Sequence, residues 1–145
     1  MRRLLYAAFL TVLPLTAALA EPAAGWMNDD DIRTAFDGVT IDGIYSDRTT
    51  FTESYLKDGR ITYRDTLKQM TGRWSVVEKS FCTIYDGFVS GGCFKVTRHS
   101  VNCYEFYFLA PSEAAVAGAE PENARWTARG WNKDKAATCD EKPAV

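Results

Sequence analysis

Apolar and polar positions along this chain follow two different periods. Ile32, Ala35 and Phe36 recur at helical spacing behind Asn28 and the acids Asp29, Asp30 and Asp31, with Gly38 just beyond. An N-cap, an acidic first turn and a glycine stop predict one short helix over 29–37. Capping explains the acidic run better than calcium does, because the alternating ligand spacing of a calcium loop is missing. From Val39 the period drops to two. Asp-Gly at 37–38, 42–43, 58–59 and 86–87, with Gly91-Gly92, marks tight turns between alternating segments. The predicted strands are 39–46, 49–57, 60–67, 70–77, 80–85, 92–98, 101–109 and 125–131. So many strands joined by short connections read as an antiparallel meander.

The clearest strand is 70–77, where Met70, Gly72, Trp74 and Val76 alternate with Thr71, Arg73 and Ser75. One apolar and one polar face define a half-buried strand. Pairing it with 60–67 through a two-residue loop at Lys68-Gln69 sets Leu67 against Met70, Asp65 against Gly72, Tyr63 against Trp74 and Ile61 against Val76. The apolar faces then coincide. In the preceding hairpin, a three-residue loop with Gly59 left-handed puts Phe51 and Tyr55 on the face of Ile61 and Tyr63, which a two-residue loop does not. The near-continuous apolar run within 101–109 predicts a strand covered on both faces. Residues 110–124 carry no strand pattern and read as a long surface loop, with a helical turn at 113–117.

These segments predict a mainly β fold: a single antiparallel meander closing as a small lipocalin-like eight-stranded barrel, with one short N-terminal helix. A two-sheet sandwich is the alternative. Residues 1–20 sit outside this plan. Arg2 and Arg3, an apolar stretch from Leu4, Pro14 and a terminal Ala18-Leu19-Ala20 have the form of a signal peptide cleaved after Ala20. The expected organisation is a signal peptide at 1–20, a flexible leader at 21–28 and one β domain at 29–145. That places the protein in the periplasm or outside the cell, with no stable membrane span after cleavage.

The compartment changes the reading of Cys82, Cys93, Cys103 and Cys139. An even cysteine count in an exported chain predicts two disulfides, with three connectivities open. Cys82–Cys93 is favoured because the two flank a hairpin, which leaves Cys103–Cys139. A metal centre is not expected: no CxxC pair is present and His99 is the only histidine. The 17 basic and 19 acidic residues are mixed along the chain, so nothing points to nucleic acid.

Candidate chemistry is sparse. His99 beside Ser100 does not make a triad, and the chain carries no G-x-S-x-G elbow, P-loop or HExxH. No cofactor is expected. The register above puts Glu53 and Asp65 on the face of Phe51, Tyr55, Tyr63 and Trp74, with Gly72 leaving space beside Asp65. Carboxylates in an apolar interior are costly and often mark a site. Those six residues form the candidate ligand-binding set, with no catalytic residue assigned.

Tyr55-x-x-Asp58-Gly59-Arg60, then Gly72-Arg73-Trp74-Ser75-Val76, then Cys82 and Cys93 before Tyr104, resembles a family of small exported alphaproteobacterial proteins grouped as a domain of unknown function. The resemblance covers 39–109. It implies a periplasmic β domain with a Cys82–Cys93 bond and transfers no active site. The functional expectation is a non-enzymatic binding protein for a small apolar ligand. The alternatives are an interaction or inhibitor module acting on an envelope enzyme and, third, a carbohydrate-active enzyme using Glu53 and Asp65.

Overall fold

The computed structural model describes residues 25–87, 91–114, 120–121 and 125–140. The expected signal peptide lies outside them, as do the first residues of the leader and most of 115–124. The chain runs α1 (Asp29–Phe36), β1 (Thr40–Tyr45), β2 (Thr50–Tyr55), β3 (Arg60–Arg64), β4 (Gln69–Val77), β5 (Ser80–Tyr85), β6 (Gly91–Ser100), β7 (Cys103–Leu109), α2 (Pro111–Ala114) and β8 (Ala128–Asn132). Each strand pairs antiparallel with the next, and β1 pairs with β8, so the sheet closes into a barrel. The predicted barrel is the observed fold, and the sandwich is not.

Helix α1 plugs one end of the barrel. Asn28 caps it: its side chain accepts from the Asp31 amide at 2.9 Å, and Asp31 reaches back to the Asn28 amide. This reciprocal capping explains the acidic run locally. Ile32 and Phe36 point inward and are fully buried. The Phe36 ring packs on those of Tyr55, Phe81, Tyr104 and Phe106. Gly38, at φ +76°, turns the chain out of the helix, and its amide donates to the Tyr55 carbonyl. The end of the expected leader is docked: Met27 is buried and its amide donates to the Val96 carbonyl at 2.8 Å.

Strand parity follows the sequence pattern. In β4 alternate residues Met70, Gly72, Trp74 and Val76 are buried. Gly59, at φ +82°, closes the β2–β3 hairpin, and Leu56 N–H donates to the Arg60 carbonyl, leaving the expected three-residue loop. The β3–β4 register differs from expectation. Ile61 faces Gly72 and Tyr63 faces Met70. The cause is a four-residue turn built on Asp65, whose Oδ1 accepts from the Leu67 and Lys68 amides at 2.7 and 2.8 Å. Leu67 is thereby thrown into solvent, 91% exposed, instead of opposing Met70. The slip along β4 is four residues, an even number, so every side chain keeps its face.

Both favoured disulfides are present, Cys82–Cys93 across β5 and β6 and Cys103–Cys139 between β7 and the C-terminal tail. Buried Asn102 also holds the tail, donating to the carbonyls of Asn132 and Ala136 at 3.1 and 2.9 Å. That covering is why Cys103 through Phe106 are buried on both faces, but the expected two-sided cover does not extend along the strand: Phe108 is exposed. Two disulfides fit an oxidising environment outside the cytoplasm. Among the described residues, no helix is long and apolar enough to cross a membrane.

Candidate functional site

Among the described residues the end opposite α1 is open, bordered by the β1–β2 and β3–β4 turns. Behind this mouth lies a cavity of about 200 Å³ walled by residues from all eight strands. Tyr45, Phe51, Tyr63 and Tyr85 stand around the mouth with Lys68 at its rim, and Tyr55, Phe81, Phe94 and Phe106 lie deeper. The mouth rings form a chain of contacts. Tyr45 and Phe51 are 4.6 Å apart by centroid, Phe51 and Tyr63 6.2 Å and nearly parallel, Tyr63 and Tyr85 5.6 Å and edge-on. Lys68 Nζ sits 5.8 Å from the Tyr63 ring centroid.

Among the described residues one carboxyl group lines the cavity. Glu53 is centred on β2 between inward-facing Phe51 and Tyr55, and is 6% exposed. Its Oε2 accepts from the Tyr55 hydroxyl and its Oε1 from the Tyr85 hydroxyl. Burial pushes the Glu53 carboxyl above its usual range, against the opposing pull of these two hydrogen bonds. Burial, and then the nearby Glu53 charge, holds the Tyr55 and Tyr85 hydroxyls well above the ordinary phenol value. Burial also pushes Tyr45 up to about 12. All three phenols are therefore protonated at neutral pH. With the Tyr55 and Tyr85 protons committed to Glu53, their oxygens retain accepting capacity toward the cavity. The site can hold an apolar body against rings and accept hydrogen bonds from its polar end.

Of the six expected site residues, Phe51, Glu53, Tyr55 and Tyr63 line this cavity. Asp65 and Trp74 do not. Asp65 belongs to the β3–β4 turn, where it also accepts from the Tyr63 hydroxyl at 2.8 Å, and it borders an outer groove with Asp42, Arg64 and Trp131. The Leu67 amide and then the Tyr63 hydroxyl hold its carboxyl below the usual range. The space expected beside it at Gly72 is taken: a Cβ there would stand 2.1 Å from the Ile84 carbonyl oxygen of β5. Glu53 and Asp65 thus border separate cavities instead of sharing the one apolar face on which the expected register set them. Trp74 packs below the cavity against Tyr55 and Phe81, and its indole N–H donates to the Leu56 carbonyl at 2.9 Å.

Tyr45, Lys68, Met70, Phe81, Tyr85, Phe94 and Phe106 join the wall without having been singled out. A signal for part of them was available. A Cys82–Cys93 bond on neighbouring strands turns Cys82 outward, so Phe81, Thr83 and Tyr85 must face in. His99 lies within β6 at a bulge, its Nδ1 3.5 Å from Glu105, rather than between strands. Glu105 also accepts from the Arg129 guanidinium at 2.6 Å. Among the described residues no group of histidine, cysteine and acidic side chains is arranged to hold a metal. Neither a family model, nor a curated protein, nor a solved structure matches this chain.

Proposed function

We propose that this protein is a non-enzymatic binding protein of the periplasm or extracellular space, whose barrel takes one small ligand with an apolar body. The observation that carries the reading is the aromatic cavity, open at one end and finished by a hydrogen-bonded carboxyl. Binding sites take this form: apolar walls with a few placed polar groups. At about 200 Å³ the cavity is below the usual range of drug-sized pockets, which begins near ~300 Å³, and above the ~150 Å³ that holds benzene. The ligand class is accordingly a single-ring molecule or a short branched chain. The leader pattern at 1–20, the two disulfides and the resemblance to exported proteins support the compartment.

The test is a panel of neutral single-ring probes, including phenol, toluene and benzyl alcohol, followed by thermal shift and tryptophan fluorescence. At least one probe is expected to raise Tm saturably, and Met70→Trp, which fills the cavity from β4, to abolish the effect. A flat response across the panel overturns the proposal.

A further inference from the structure

We infer that the cavity is selective for a small organic ammonium ion; the inference rests on the binding reading above and narrows its ligand class. The first observation is the charge balance of the interior. Glu53 is 6% exposed, and among the described residues no lysine, arginine or histidine pairs with it. Its partners are two neutral phenols. A buried carboxyl either stays protonated or acquires a positive partner, and an ammonium ligand supplies that partner where the protein does not.

The second observation is the lining between Glu53 and solvent. Tyr45, Phe51, Tyr63 and Tyr85 present a connected set of rings around the mouth. Aromatic faces carry negative potential and attract cations, and cages of such rings are a recurrent solution for methylated ammonium groups. The third observation is that an ammonium already stands there. Lys68 Nζ is 5.8 Å from the Tyr63 centroid, inside the distance over which such attraction operates, about 6 Å. Asp65, bonded to the Tyr63 hydroxyl, adds a further negative charge beside the same ring. Among the described lining residues, an anionic ligand meets the Glu53 carboxyl with only Lys68 in its favour. A cationic ligand meets Glu53 and the rings, with the Asp65 charge behind Tyr63, and competes with Lys68 for the mouth.

Isothermal titration with choline and with 3,3-dimethylbutan-1-ol, the same shape with carbon in place of the charged nitrogen, tests this on the full disulfide-bonded protein. Choline is expected to bind about tenfold more tightly than the alcohol, the scale of a partly desolvated cation–π site. Glu53→Gln should erase that preference. Lys68→Met, at the exposed rim and harmless to folding, should increase it by removing the resident competitor. If choline binds no better than the alcohol, or if Lys68→Met weakens choline, the inference is overturned. Binding of phenol or the alcohol in that case leaves the broader binding reading standing, whereas failure of every probe removes both.

Discussion

Truncating Phe36 to alanine tests whether α1 belongs to the barrel's core or merely leans on its end. The ring is 0% exposed and meets those of Tyr55, Phe81, Tyr104 and Phe106 at centroid distances of 5.6, 5.3, 5.0 and 5.6 Å. Its partners come from β2, β5 and β7, so the change leaves a hole where the helix meets three strands. Losing the ring returns about 120 Å² of apolar burial, worth about 3 kcal/mol at roughly 25 cal/mol per Å². The hole adds to this, because strands tied by ladder hydrogen bonds and two disulfides cannot collapse into it. The expected loss is about 4–5 kcal/mol, near the top of the range for such truncations. A domain of this kind holds about 5–15 kcal/mol in total. With a urea slope of about 2 kcal/mol/M, the unfolding midpoint should fall by about 2 M. Urea titration of the oxidised protein, followed by tryptophan fluorescence, measures it. Phe36→Leu, which keeps most of the volume, should cost no more than about 1.5 kcal/mol and fall between the two. A midpoint shift below about 0.5 M for the alanine variant refutes the reasoning and makes α1 an appendage.

Other expectations follow from single features. Replacing Cys103 and Cys139 by serine, which removes a bond spanning 36 residues, should cost about 4 kcal/mol, and the Cys82–Cys93 pair, spanning 11, about 3; denaturant midpoints of the double-serine variants compare them. Gly59→Ala meets only ordinary contact with the Trp74 carbonyl oxygen at 3.5 Å but must hold φ +82°, so about 1 kcal/mol is expected, whereas Gly72→Ala drives a Cβ into the β5 backbone and should lower Tm several-fold more. Glu53 has a raised folded pKa, so the folded state binds more protons than the unfolded one, and stability should decline as pH rises above about 4.3 through the folded value. Subtracting the Tm profile of Glu53→Gln from that of the native protein between pH 4 and 9 isolates the effect, and a flat difference contradicts it. Asp65 has the opposite sign: its lowered pKa stabilises the fold above about 3.9 and that contribution is lost as pH falls through the folded value, so the Tm deficit of Asp65→Ala should be largest near pH 7 and shrink as the pH is lowered below about 3.9.

The barrel was legible because alternation, turn residues and cysteine count all pointed the same way, from Met70-x-Gly72-x-Trp74-x-Val76 to the even set of four cysteines. Register was less legible. Lys68-Gln69 reads as a loop only if Leu67 is assumed to be core, and nothing in the alternation reveals that Asp65 will bond two amides and end the strand early. The site was half legible for a related reason. Parity places Phe51, Glu53, Tyr55 and Tyr63 on one face of a local hairpin. Which distant strands complete the enclosure depends on closure and on which end α1 plugs, and both are long-range properties. Tyr85 and Phe106 therefore went unnoticed, and Trp74 was set one layer too high.

Closure itself carries a consequence for how the molecule forms. The seam joins Ile41 to Asn132, the two ends of the strand series. An open sheet gains stability strand by strand, but a ring with its last segment missing exposes two unpaired edges and a cracked interior. A chain emerging N-terminus first must therefore delay its cooperative collapse until nearly all of it is free, and contacts so remote in sequence make that collapse slow. Shortening the polypeptide before Ala128 should yield an aggregating product rather than a smaller stable barrel.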